Sequence, residues 1–416
     1  MADTRKIRFK GFGDAWEQRK LGEVFEEYVE KNHPELPALT IIQGGGTVRR
    51  DESDRNILYD KASLIGYKFV QKDDFILHLR SFEGGLERAT CDGIISPAYH
   101  TFHGVDVDSR FYYSFFRSFE FIKKKLVPHI YGIRDGKSID IEGMKSIEIP
   151  YPTYEEQKKI GDYIDNLDHL ITLHQHKCDE TKELKKYMLQ KMFPQNGKKN
   201  PEIRFAGFTD DWEQRKLKGL IDKGIIETPM DGNHGEKHPT ANEYVDSGIP
   251  FLMASDIRNG EADIDNCKYI TRERAEKLDK GFAKNGDVLI THKATIGETA
   301  ILQGLKAEYA VLTPQVTYYR IKNEKQLNRE YLYAFFNSED FQNDLKTKAA
   351  QSTRPYIGIS AQQNLVIDLP KNEREQRQIG EYFRYFDRLI TLHQRKCDEL
   401  KEVKKFMLQN MFPQKG

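Results

Sequence analysis

A chain of 416 residues is long enough for two or three domains. Charged residues make up 31% and the hydrophobic set 38%, yet 24 Phe and 21 Tyr supply the apolar bulk that disordered chains lack. Lys+Arg and Asp+Glu both total 65, so the chain is not basic overall; any nucleic-acid contact must come from a local patch or a partner. No run of 18 apolar residues occurs, and the start, Met1-Ala-Asp-Thr-Arg-Lys-Ile-Arg8, has no apolar core of a signal peptide. The four cysteines, Cys91, Cys178, Cys267 and Cys397, are too scattered for a disulfide framework, so a reduced, cytoplasmic compartment is expected.

In chain order, the first segment that matters is Ile7-Arg-Phe-Lys-Gly-Phe-Gly-Asp-Ala-Trp-Glu-Gln-Arg-Lys-Leu21. It returns at Ile203–Leu217, identical at 12 of 15 positions. A longer block, Glu156–Gln195, returns at Glu375–Gln414, identical at 27 of 40. A period near 200 residues marks duplicated halves rather than a solenoid.

The stretches between these blocks have diverged but align in outline. Asp74-Phe-Ile-Leu matches Asp287-Val-Leu-Ile, Ser96-Pro97 matches Thr313-Pro314, and Phe115-Phe116 matches Phe335-Phe336. The offset grows from 196 to 213, 217 and 220, so most of the extra length in the second half precedes Asp287. The inserts read as mixed α/β. Strands are expected at 75–79, 288–291 and 316–321, and helices at 112–125 and 330–346, with Gly44-Gly-Gly46 and Gly84-Gly85 in loops.

Each insert ends in proline and then a long helix. Thr153-x-x-Glu156 and Asn372-x-x-Glu375 have capping-box spacing, and Pro194 and Pro413 close the far ends. About 40 residues at 1.5 Å rise make roughly 60 Å of helix. Ile160, Ile164, Leu167, Ile171, His174 and Cys178 form a heptad stripe on the first; Ile379, Phe383, Phe386, Ile390, His393 and Cys397 form it on the second. A long helix with one apolar stripe needs another helix, and the other copy is the simplest partner. The expected fold is therefore α+β: two mixed α/β domains and two long helices in an antiparallel coiled coil, as an internal repeat. The expected boundaries are 1–152 for the first variable domain, 153–195 for its helix, 196–371 for the second domain and 372–416 for its helix.

Catalytic signatures are missing. Gln43-Gly-Gly-Gly-Thr47 lacks the Lys-Ser/Thr of a phosphate loop, no G-x-G-x-x-G follows a strand, and no nucleophile elbow or H-E-x-x-H occurs. Glu180/Lys182 and Glu399/Lys401 resemble nuclease pairs but lie on the long helices, where solvated charge is the usual reason for them. His174/Cys178 and His393/Cys397 have the i, i+4 spacing of metal ligands; a small polar layer in a coiled coil explains them as simply, and no metal is expected. Nucleic-acid contact is the more promising chemistry. Residues 110–137 carry seven positive side chains, among them Lys123, Lys124, Lys125, Arg134 and Lys137, against Glu120 and Asp135, with Tyr131 interleaved. Arg80 aligns with Lys293, each six residues past an aligned Asp, and Arg134 aligns with Arg354, with Tyr356 close behind. Long cations at equivalent loop positions suit DNA contact better than core packing.

The order of variable domain, long helix, variable domain, long helix resembles the specificity subunit of type I restriction–modification enzymes. The likeness rests on the repeated Ile-Arg-Phe-x-Gly-Phe-x-Asp-x-Trp-Glu-Gln-Arg-Lys-Leu segment, the Glu156-Gln157 and Glu375-Gln376 helix starts, the Leu-Ile-Thr-Leu-His-Gln segments and Gly286-Asp287-Val-Leu. In the first half Lys72-Asp-Asp74 stands where Gly-Asp is usual. The resemblance implies a chain without catalytic residues or a cofactor of its own, each variable domain reading one half of a bipartite, asymmetric site on double-stranded DNA. The helices would act as spacer and dock two methylation subunits, which hold S-adenosylmethionine for adenine methylation. Two restriction subunits, with ATP and Mg, would complete the assembly, and no membrane is involved. A coiled-coil scaffold carrying two protein-binding adaptor domains is the alternative.

Overall fold

A computed structural model describes residues 7–53, 61–132, 138–350 and 355–412. The chain divides into two compact units, residues 1–173 with 396–416, and residues 174–395. Each contains a mixed α/β domain and part of both long helices.

In the first unit, β1 (Glu17–Lys20) is followed by β2 (Phe25–Tyr28), β3 (Phe75–Leu77), β4 (Glu87–Arg88) and β5 (His100–Gly104). Helix α1 (Ser109–Phe116), β6 (Glu148–Tyr151) and the long helix α2 (Tyr154–Lys191) complete the series. The sheet order is β2-β5-β3-β4, all neighbours antiparallel, and β1 pairs separately with β6. Asp108 caps α1 by accepting the Arg110 amide. Phe111, Tyr112, Phe115 and Phe116 then bury one face of α1, and Phe116 meets Phe25 and Phe75 edge-on at 5.2 and 5.0 Å.

The second unit repeats this plan. Its elements are β7 (Glu213–Lys216), β8 (Met230–Asp231), β9 (Val288–Lys293), β10 (Thr295–Ile301) and β11 (Val316–Tyr319). Helices α3 (Arg329–Phe336) and α4 (Glu339–Ala349), then β12 (Val366–Leu369) and the long helix α5 (Glu373–Met411) follow. The sheet order is β8-β11-β9-β10, again antiparallel throughout, and β7 pairs with β12. The extra length before Asp287 supplies four strands of a second, five-stranded sheet, in which Ile249–Leu252 runs parallel to Ala310–Leu312 from beyond it. The first unit has in its place the hairpin of Leu39–Ile42 with Gly46–Arg49, and the pair Lys68–Val70 with Gly93–Ile95.

Two helices expected from periodicity are broken. The stretch 330–346 divides into α3 and α4, because Ser338 takes an extended backbone conformation (φ −66°, ψ 150°) between them. The stretch 112–125 leaves α1 after Phe116 and resumes as a wider, π-wound turn over Glu120–Leu126, which turns Phe121, Ile122 and Leu126 inward.

The long helices pair antiparallel inside each unit. In the first, Ile160, Ile164 and Leu167 near the start of α2 share a core with Leu400, Met411 and Phe412 near the end of α5. In the second, Ile379, Phe383 and Phe386 share one with Met192 and Phe193. Polar contacts repeat across the duplication at an offset of 375 − 156 = 219. Lys404 donates to Asp168 (2.5 Å) in the first unit, and Lys185 to Asp387 (2.6 Å) in the second.

Glu156 and Glu375 have a use that capping-box spacing did not reveal. Glu156 is 1% exposed and accepts Nε and Nη2 of Arg8 at 2.7 and 2.8 Å, and Nε1 of Trp16 at 2.9 Å. Glu375, also 1% exposed, accepts Arg204 at 2.6 and 2.9 Å and Trp212 at 3.2 Å, while Asn372 caps the Arg374 amide unaided. The repeated lead segment is thus clamped onto the first turn of each long helix.

Two outcomes are expected. Glu375→Ala leaves the mostly buried Arg204 guanidinium its bonds to Asn200 and the Asp210 carbonyl but removes the carboxylate that balances its charge, and loss of one partner of such a pair costs about 3–5 kcal/mol; replacing both Arg204 and Glu375 by Met and Leu costs less. Denaturant titration of the two variants measures the difference. The second concerns pH. The Nδ1 of His78 accepts the Arg80 amide (3.3 Å), and burial, with help from Arg117 and Arg80, holds that imidazole down at about 4. As pH falls below 6.5 the unfolded chain takes up a proton that the folded ring refuses, so the first unit loses roughly 2 kcal/mol by pH 4.5. His78→Gln removes that part of the acid slope in melts compared at pH 7 and 4.5.

Candidate nucleic-acid interface

Of the expected contact residues, Arg80 and Lys293 fall at the ends of the central strands β3 and β9. In the first unit Arg80 lies just beyond β3, exposed and without an ion pair among the described residues. The basic run further along is divided by its own neighbours. Lys123 is exposed, Lys124 pairs with Glu120 at 3.0 Å, and Lys125 donates to the Glu148 carbonyl. The run therefore presents less free charge than its composition suggests. Tyr131 is 60% exposed on a two-residue strand paired with Ser138–Ile139. Arg134, Lys137 and Arg354 lie outside the described residues.

In the second unit the structure joins two of the candidates. The β9–β10 hairpin turns at Ala294, which takes φ +68°, and Lys293 forms an isolated bridge to Tyr356. The Lys293 ammonium lies 5.9 Å from the Tyr356 ring centroid, and that ring is 40% exposed. Two buried carboxylates with cationic partners that sequence reasoning missed lie along the same sheet, Asp231 within 4.0 Å of His292 and Asp287 at the opposite end of β9. Buried Asp231 takes His234 at 2.8 Å and the Lys280 ammonium; burial works against its charge, but these two partners outweigh it and hold the carboxyl below its usual range. Asp287 is held by Arg320 at 2.7 and 2.9 Å, but there burial prevails and raises the carboxyl. Asp74, its counterpart in the first unit, pairs with His103 (2.7 Å) and Tyr28.

The glycine-rich segment has an internal use. Gly44 and Gly46 donate their amides at 2.8 and 3.1 Å to the fully buried carboxylate of Glu87, which also takes Tyr113 and Arg117. Amides that would cradle a phosphate hold a side chain instead. A cavity of about 480 Å³ lies beside this loop, lined among others by Arg88, Asp165, Lys404 and Leu408. Burial raises the Asp165 carboxyl.

The helix residues form a seam. Nδ1 of His174 and Nδ1 of His393 stand 3.1 Å apart; Cys178 faces the Ile390 carbonyl, and Cys397 the Ile171 carbonyl, each at 3.9 Å. Among the described residues no three His, Cys, Asp or Glu side chains are grouped to hold a metal. No helix among them is long and apolar enough to cross a membrane.

The family model for the type I restriction modification DNA specificity domain matches residues 13–183 and 209–402. The MjaVIII specificity subunit of Methanocaldococcus jannaschii is 24% identical over 274 residues, 64% of this chain and 61% of that one. The EcoBI specificity subunit of Escherichia coli is 20% identical over 193 residues, 43% of this chain and 36% of that one. The matches thus span about three fifths or less of these relatives' lengths. Among solved structures, the type I restriction–modification S subunit from M. genitalium superposes with a TM-score of 0.65 at 12% identity, covering 99% of this chain and all of that one, a likeness of fold. With the family's domain found twice, over most of its length, the chain belongs to the type I restriction–modification DNA specificity family.

Proposed function

We propose that this chain is the DNA-reading subunit of a type I restriction–modification complex, and that each variable domain reads one half of a bipartite, asymmetric site. One observation carries the reading: the same clamp, sheet order and helix seam occur twice, while the edges Arg80 and Lys293/Tyr356 occupy differ. A repeated frame suits one kind of partner bound twice; divergent edges suit two different sequences.

Docking of two methylation subunits has its own support. The long helices keep large apolar side chains in solvent at positions 219 apart: Leu173 and Leu392, Leu184 and Val403, Tyr187 and Phe406, all between 38 and 60% exposed. Apolar side chains left exposed at matching positions in both copies suit a surface that a partner covers. Such partners would bring S-adenosylmethionine and the methyl transfer, restriction subunits would bring ATP and Mg, and this chain would bind no cofactor. Neutral net charge fits a subunit whose partners share the phosphate contacts. A cytoplasmic location follows from the same reading.

Mapping adenine methylation in a host with and without this gene tests the proposal, since one experiment reports both half-sites and their spacing; no change in methylation overturns it. Exchange of residues 22–151 for the equivalent segment of a relative should alter one half-site and leave the other, and alteration of both contradicts the modular reading. Arg80→Ala and Lys293→Ala, each in the assembled complex, should cost about 1–3 kcal/mol at one base position if they read a base, or weaken all sequences alike with a shallower salt dependence if they touch phosphate. Arg134→Ala and Arg354→Ala belong in the same series. Unchanged affinity and salt slope remove a residue from the interface.

A further inference from the structure

The Lys293–Tyr356 edge is backed by one residue whose chemistry nothing so far explains. His292 is fully buried on β9, the strand that Lys293 ends. Its Nδ1 lies 3.0 Å from the Ile357 carbonyl, and its own carbonyl accepts the Ile357 amide at 3.1 Å. A carbonyl only accepts, so the ring carries its hydrogen on Nδ1 and leaves Nε2 as a bare acceptor. That Nε2 is sealed from solvent without a hydrogen bond; Oδ2 of Asp231 stands 4.0 Å away, already engaged by His234. The ring also lies against Tyr356, with centroids 5.6 Å apart at 45°.

A residue that only filled this space would be apolar, because a sealed, unpartnered ring nitrogen is a cost with no return in packing. The return lies in the Nδ1 bond. With the backbone bridge it fixes the segment after Tyr356 from two sides and sets the Tyr356 ring over Lys293. In the first unit the histidine itself is absent: the counterpart position, 292 − 213 = 79, is Leu79, which is 64% exposed.

We infer that His292 is a positioning residue, holding Tyr356 and Lys293 in the geometry with which the second domain reads its half-site. The inference rests on the DNA-reading function proposed above. Burial keeps the imidazole neutral against the pull of the Ile357 carbonyl and Asp231, with His234 and Lys293 adding to the effect, so the Nδ1–H tautomer is the one present near neutral pH.

The test uses the full chain assembled with its methylation subunit and two variants. His292→Leu removes the donor and keeps the bulk; His292→Asn returns an amide N–H near the Nδ1 position. Hydrogen exchange without DNA reads the brace itself: the Ile357 amide should exchange about tenfold faster in His292→Leu and near the wild-type rate in His292→Asn. Binding to duplexes with single-base changes in either half-site reads the consequence. His292→Leu should lose about tenfold in discrimination at one half-site, with the other half-site and the salt slope unchanged, and His292→Asn should recover most of it. A His292→Leu complex that melts like wild type and keeps full discrimination overturns the inference, as does equal damage to both half-sites by both variants. If the brace behaves as expected in exchange but the wild-type complex does not discriminate among duplexes, the DNA-reading function fails and the brace stands.

Discussion

The architecture depends on a buried Glu-Gln dipeptide at the head of each long helix. A carboxylate that is 1% exposed is tolerable only if charge and hydrogen-bonding capacity are met, and Arg8 with Trp16, or Arg204 with Trp212, meet them. The adjacent glutamine works in two directions. Gln157 accepts the Asp108 amide and donates to the Pro152 carbonyl, both at 2.9 Å; Gln376 does the same with Asn328 and Pro370. Asp108 and Asn328 are the caps of α1 and α3. Two consecutive residues thus tie together the lead segment, the start of the long helix and the helix packed on the sheet.

That arrangement explains how the inserts could diverge without loss of the fold. The contacts that recur in both halves join the dipeptide to the lead segment, the proline before each long helix and the caps; Gln376 adds one of its own, to the Gln326 carbonyl at 3.2 Å. The sheet edges and the segments beyond β3 and β9 touch none of it. There the second unit adds a five-stranded sheet, and the first places Glu87 and Arg88 where, by strand register, Ala300 and Ile301 stand. Glu87 then organises the glycine loop, a task for which the second unit has no carboxylate at that position.

Much of this was legible in the sequence, because repeats and apolar periodicity report directly on burial. The duplicated frame, the long helices with their stripes, and the site of the extra length all follow from spacing. Tertiary pairing was not legible. Thr153-x-x-Glu156 gives no sign that Glu156 binds Arg8, 148 residues away. A Lys run does not show that Lys125 meets a backbone carbonyl, and helical periodicity does not register Ser338 as a break. His292 was missed because a lone histidine in a strand carries no spacing signal, although its place beside Lys293 was a usable hint.

One consequence of the helix seam concerns chemical identity. His174 and His393 occupy the same position in the two copies, and their Nδ1 atoms face each other at 3.1 Å. Between two such nitrogens a hydrogen bond requires one donor and one acceptor, so when both rings are neutral one holds its hydrogen on Nδ1 and the other on Nε2. Burial, then the proximity of His174 and Lys177, disfavours charge on His393, so a second proton does not readily restore equivalence. Two residues that gene duplication made identical are therefore different tautomers, and the repeat, exact in sequence at this point, is asymmetric by a single hydrogen atom.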